Sequence, residues 1–368
     1  MTTKTLLTLG FVLHAFAEIV FATWFILDPI GMAKARGNTP SPEFTRSLGI
    51  HIGCLGLLGV LFLPDVFKFK KGATASTGTN SSSSTSIISR VTAAFLFFHG
   101  VTLLRVYFSA KYNSSSAATS MLSVILATIQ SPVVMLHLPI FLFLLAGAIW
   151  TLEMFGKRKS QTTFAPISEF RSLMFKTTEA VVHLNQNPVP LYLYVVYLPH
   201  IVLLLGDAYV QLFQPGFAPG ISKVAPSPDS QPPLGVALAT LGLVAVLFLP
   251  AIFVLARQQE DGEEAKENQK SLSKLNFLSM FYHFAMDLKL AIQDGQDLKI
   301  LEFRFLSHFL LGLGFAWYVY ESVVKSRGRM LSSAGGKARS KSSGKKRGRS
   351  AASAGRKNSR SASGKKKK

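Results

Sequence analysis

The chain has one cysteine, Cys54, in 368 residues. That excludes an intrachain disulfide framework and any Cys-x-x-Cys metal or redox motif. Charge is scarce too, at 16% of residues against 48% apolar. No GxSxG, HExxH, P-loop or GxGxxG pattern occurs, so the common hydrolase, nucleotide and dinucleotide chemistries have no anchor. Short zinc-ligand spacings are also missing, so no metal ligand is expected and the cofactor is left open. The tail lacks acid: residues 331–368 hold 14 Lys/Arg and no Asp or Glu, two thirds of the net charge of +21.

What is present is a set of stretches of about 20 residues with few or no charges, the length that crosses ~30 Å of hydrocarbon. The first follows a basic start and ends in Ala15-Phe16-Ala17, which imitates a signal peptide. It is read instead as the first membrane helix, because it takes part in an internal repeat. "LGLLGVLFLP" at 55–64 recurs as "LGLVAVLFLP" at 241–250, and Leu48 to Phe67 matches Leu234 to Phe253 at 11 of 20 positions, at an offset of 186. At that offset His14 falls on His200 and Pro29 on Pro215. Further along, "FFHGVTLLR" (97–105) falls on "FYHFAMDLK" (281–289), and Gly147-x-x-Trp150 on Gly314-x-x-Trp317.

The expected fold is therefore all-α and polytopic, with eight transmembrane helices as two tandem parallel four-helix repeats. The expected division is 1–156 for the first repeat, 157–190 for a cytosolic linker, 191–324 for the second repeat and 325–368 for a disordered basic tail. Within the linker, residues 166–184 place apolar side chains on one face, as an interfacial helix does. The Ser/Thr-rich stretches 72–89 and 113–120 read as flexible loops. Lys and Arg gather on the side of both termini, which predicts that the N- and C-termini are cytosolic. Lys365 to Lys368 resemble a dilysine retrieval signal, so the endoplasmic reticulum is the expected membrane. The tail is expected to meet anionic lipid rather than nucleic acid.

Within the second helix Gly49, Gly53, Gly56 and Gly59 step by four, three and three residues; Gly235, Ala239, Gly242 and Ala245 are their counterparts. Small residues at that spacing make a packing seam between membrane helices.

Ionisable residues inside a span are costly and mark candidate sites. His14, His99, His200 and His283 lie about eight to ten residues in from the cytosolic ends of their helices, or ~12 to 15 Å. Glu18 follows His14 by one turn, Asp287 follows His283 by one, and Asp207 follows His200 by two. Such a belt suits the binding or proton relay of a small lipophilic ligand, carried or moved at the midplane. Alternatively it suits an acid/base enzyme acting on a lipid, or a bis-histidine haem protein using one pair per repeat. His51, His137 and His308 fall toward the other ends of their helices and outside the belt. Arg105 and its counterpart Lys289 are expected to snorkel. "YLPHIVLLLGD" and "FFHGVTLL" are similar to pieces of sterol-isomerase-like (EXPERA) membrane proteins. The similarity covers those two pieces only, the order of acids differs, and it implies no residue role.

Overall fold

In the computed structural model the described residues are 3–35, 42–69, 82–113, 121–152, 154, 189–213, 231–257, 263–292 and 305–321. Nearly all of them are helical, with no strand among them. The first four helices in chain order are α1 (Thr3–Leu27), the short α2 (Pro29–Ala35), α3 (Pro42–Lys68) and α4 (Ser82–Asn113). A second short helix, α5 (Met121–Ile129), leads into α6 (Pro132–Ala146), which ends in a π turn at Gly147–Thr151. Then α7 begins at Val189–Tyr192, passes through a π turn at Leu193–Tyr197 and continues as Leu198–Phe213. It is followed by α8 (Gln231–Arg257), α9 (Glu263–Ile292) and α10 over 305–321.

Six of these helices are long and apolar enough to cross a membrane: Lys4–Leu27, Pro42–Lys68, Ile87–Lys111, Pro132–Thr151, Leu193–Phe213 and Gln231–Leu249. In lipid every backbone amide must be satisfied within the segment, which a helix alone achieves without neighbours. Their outer faces fit that solvent. Leu27, Val202 and Phe213 are 77%, 71% and 69% exposed, a pattern that in water would be an aggregation surface. Helix ends are served locally. Pro42 and Pro132 open α3 and α6, where a missing N–H costs nothing, and Lys4 Nζ donates to the Phe67 carbonyl at 2.8 Å, neutralising the negative end of α3.

The serine-rich stretch expected to be a loop is corrected in part: 82–89 form the first turns of α4. Ile87 and Ile88 are buried there, 4% and 1% exposed, and that burial outweighs the weak helix propensity of serine. The linker 157–190 lies outside the described residues except for its last two, and the tail 325–368 lies wholly outside them.

The glycine seam of α3 faces α1. A Cβ at Gly49 would stand 2.9 Å from Phe25 Cβ, at Gly53 3.1 Å from Ala22 Cβ, and at Gly59 3.1 Å from Ala15 Cβ. Gly235 and Gly242 of α8 meet Leu212 and Leu205 of α7 in the same way, while Ala239 is half-buried and Ala245 fully buried on the same helix. Elsewhere α6 packs on α1 and α4, and α3, α4, α8 and α9 pack together at the centre. The π turn of α7, with i→i+5 bonding, sets residues five apart on one face. It buries both Tyr192 and Tyr197, whose hydroxyls donate to Asn276 Oδ1 at 2.5 Å and to the Ala245 carbonyl at 2.8 Å.

Candidate functional site: two buried histidine chains

Close packing of α1 on α3 and of α4 on α6 turns three imidazoles toward one another. His14 Nδ1 lies 2.8 Å from His99 Nε2, and His99 Nδ1 lies 2.6 Å from His137 Nδ1. The remaining nitrogen of His14, Nε2, is 3.1 Å from the Leu55 carbonyl. His14 and His99 are fully buried and His137 is 9% exposed. The second set is built from the same atoms. His200 Nδ1 meets His283 Nε2 at 2.9 Å, and His283 Nδ1 meets His308 Nδ1 at 2.8 Å.

The Leu55 carbonyl fixes the direction of the first chain. A carbonyl only accepts, so His14 Nε2 carries the hydrogen and its Nδ1, in the neutral ring, is an acceptor. His99 Nε2 must then donate, which leaves His99 Nδ1 as acceptor and makes His137 Nδ1 the donor to it. One carbonyl thereby dictates three tautomers, and His137 Nε2 ends the chain as an acceptor. The second chain has no such anchor. Its His200 Nε2 is 3.4 Å from Ser279 Oγ, and a hydroxyl both donates and accepts. Beside this pair is a cavity of about 20 Å³ lined by Cys54, His200, Leu241, Ser279 and Tyr282 among others, room for one water.

Aromatic cover differs in a compensating way. Phe95 lies against His14 with ring centroids 3.7 Å apart, whereas the residue that aligns with Phe95 in the second half is Ser279. There Phe315 of α10, aligned with Ala148, packs edge-on to His200 at 5.0 Å and stacks on His283 at 5.7 Å. A large residue has moved from one helix to another around the same imidazole.

Of the acids, Glu18 is 3% exposed and its Oε1 has no hydrogen-bond partner. Donor atoms of His14, Glu18 and His99 all lie within 4.8 Å of one another. Asp287 is 6% exposed with neither carboxylate oxygen bonded, and Asp207 is half-buried on α7. His51 bridges helices: its Nδ1 donates to the Ser47 carbonyl at 2.6 Å, and its Nε2 accepts from the Tyr282 hydroxyl at 3.1 Å. Lys289, expected to snorkel, is 8% exposed, and its ammonium donates to Ser47 Oγ across the α3–α9 contact.

A cavity of about 440 Å³ adjoins the first chain, lined by Glu18 and His137 together with apolar groups such as Phe21, Phe25, Leu48 and Ile52, and with Arg105. Its origin lies in helix lengths. α4 continues from His99 to Asn113, about 21 Å, but α6 begins at Pro132, only about 7 Å before His137. The space beside the overhanging end of α4 is not filled by α6, and Thr102, Val106 and Ser109 look into it across Pro132 and Leu136.

His137 and His308 lie outside the belt because depth is counted from helix ends, and α6 begins only five residues before His137. A signal in the sequence pairs them: they lie ten and six residues before Gly147 and Gly314, the glycines that align with one another. Neither pair expected for haem has the geometry for it. At 2.8 and 2.9 Å the facing nitrogens are closer than the roughly 4 Å needed to bind one metal from opposite sides at about 2 Å each. Comparison with known proteins gives no family model, no curated relative and no solved structure that matches this chain.

Proposed function

We propose that this helical, membrane-type protein holds a small, largely lipophilic molecule in the 440 Å³ cavity, oriented by Glu18 and His137 at its polar end. One observation carries the reading: the largely apolar cavity has the buried Glu18 and His137 among its lining residues, and apolar walls with a few polar groups are the anatomy of a small-molecule site. The Glu18 carboxyl, whose Oε1 is buried without a hydrogen-bond partner, favours a ligand with a hydroxyl or other hydrogen-bond donor. Carriage or transfer of such a molecule is favoured over acid/base turnover, since the chain of imidazoles ends at the Leu55 carbonyl, which cannot pass a proton on.

The finer architecture belongs to the same proposal. Eight crossings in two parallel four-helix units are supported by the atom-for-atom likeness of the two histidine chains, and the placing of both ends on the cytosolic side of the endoplasmic-reticulum membrane rests on the Lys/Arg distribution and on Lys365 to Lys368. On that orientation the cavity opens toward the lumenal half of the bilayer.

Mass spectrometry of lipids that co-purify with the full chain in mild detergent tests the reading. Leu136→Trp fills the cavity without replacing an ionisable group, and its preparation is expected to lose a lipophilic species that the parent retains. An unchanged set of bound molecules in the plugged, folded variant ends the proposal.

A further inference from the structure

We infer that His14, Glu18 and His99 form a binding site for one divalent transition-metal ion of the zinc type, present in the first half of the chain and missing from the second. The set is two imidazoles and a carboxylate, a combination suited to zinc with a position left open. His14 and Glu18 are one turn apart on α1, so they share a face, and His99 approaches from α4. The donor atoms are already within 4.8 Å of one another. In a tetrahedral site with bonds near 2.0 Å they would be about 3.3 Å apart, so the imidazole pair at 2.8 Å opens by about half an ångström and Glu18 swings in by a rotamer adjustment.

Three further observations point to a cation. Glu18 Oε1 is buried and unpartnered, a costly arrangement that a positive ion relieves. The far nitrogens of both histidines are held: His14 Nε2 by the Leu55 carbonyl and His99 Nδ1 by His137, the outer hydrogen bonds that orient ligating imidazoles. The 440 Å³ cavity includes Glu18 among its lining residues, so an open coordination position would face it.

The protons balance without any imidazole being ionised. Before binding, hydrogens sit on His14 Nε2, His99 Nε2 and His137 Nδ1. For His99 Nε2 to ligate, its hydrogen leaves and Nδ1 takes one up, donating to His137 Nδ1; His137 in turn carries its hydrogen on Nε2. Three hydrogens remain on three rings, and a proton on the Glu18 carboxyl, where present, departs to solvent. Metal binding therefore converts His137 Nε2 from an acceptor to a donor.

The second half supplies the control. His200 and His283 repeat the imidazole pair, but the position aligned with Glu18 is Leu204, 1% exposed, so two ligands remain where the first half has three.

The test uses untagged full-length protein in detergent, stripped with chelator and titrated with Co²⁺, then displaced with Zn²⁺. One Co²⁺ per chain is expected, with the visible absorption of a low-coordinate site. Glu18→Gln, which keeps size and packing, is expected to weaken binding at least about 100-fold. Leu204→Glu is expected to raise the capacity to two ions per chain. No stoichiometric Co²⁺ in folded parent protein, or equal binding by Glu18→Gln, overturns the site. If Leu204→Glu does not fold, the Glu18→Gln comparison alone decides. The inference shares Glu18 and the cavity with the lipophilic-ligand reading, but the two fail separately: cobalt titration of the stripped protein reads the metal, and the Leu136→Trp comparison made in chelator reads the co-purifying molecule.

Discussion

Gly56 of α3 lies directly against Glu18 of α1: a Cβ at position 56 would be 3.2 Å from Glu18 Cβ and 2.9 Å from Ile19 Cγ1. The small-residue seam is thus also what sets the carboxylate at its depth beside His14. Gly56→Ala forces α1 outward, and a cost of about 1 to 3 kcal/mol is expected from overpacking. Gly206→Ala is the matched control, since nothing lies within 4 Å of its added Cβ; there the gain in helix propensity, up to about 1 kcal/mol, should leave stability equal or higher. Thermal unfolding of the two variants in the same detergent compares them.

Lys274 of α9 pairs with Asp65 of α3 at 2.5 Å, with side chains 17% and 21% exposed. The ammonium also lies 5.0 Å from the Phe62 ring centroid. Burial of this degree puts the pair above the typical exposed bridge, so Asp65→Asn should cost about 1 to 2 kcal/mol. Exchanging the two, Asp65→Lys with Lys274→Asp, should recover part of the loss. A double-mutant cycle on unfolding midpoints reads the coupling; additivity of the single changes would show that α3 and α9 are not joined through this pair.

Around His200 the volume balance between Ser279 and Phe315 predicts a second cycle. Phe315→Ala alone opens a cavity and should cost about 3 to 5 kcal/mol. Ser279→Phe alone overpacks. Together they recreate the Phe95 and Ala148 arrangement of the first half, and the double variant should be more stable than either single one. Failure of the pair to rescue would mean the two imidazole surroundings are not interchangeable.

Removal of residues 331–368 takes away 14 basic residues. Each contributes ~1 kcal/mol when close to an anionic surface, with screening beyond a Debye length of about 8 Å at physiological salt. Reconstituted full-length protein should tether vesicles containing phosphatidylserine and release them as salt rises, and the shortened chain should do neither. Equal tethering of neutral vesicles would show that the tail does not read lipid charge.

Legibility from sequence followed physical periodicity. Helices written as long apolar stretches were visible, and so was the seam, because glycines at three- and four-residue steps state a face without reference to any partner. Four histidines of the two chains were visible as well, since α1, α4, α7 and α9 carry them at matching depth. Their partner His137 was not, because a late helix start is a property of chain geometry: nothing in "SPVVMLH" says that Pro132 begins well below the end of α4. Pairing of His14 with a carbonyl and of His200 with a hydroxyl was equally hidden, as backbone acceptors have no letter. The metal-ligand set escaped for a related reason. Glu18 stands at helical spacing from His14, but His99 comes from another helix 85 residues away, beyond any short motif.

The late start of α6 has an evolutionary corollary. A hollow made by a helix that begins below its neighbour is sized by the number of residues between Pro132 and His137, so deleting or adding residues there would deepen or shallow it in steps of about 1.5 Å. Descendants of this chain could accommodate longer or shorter guests through small deletions or insertions within 133–136, with the imidazole row left intact.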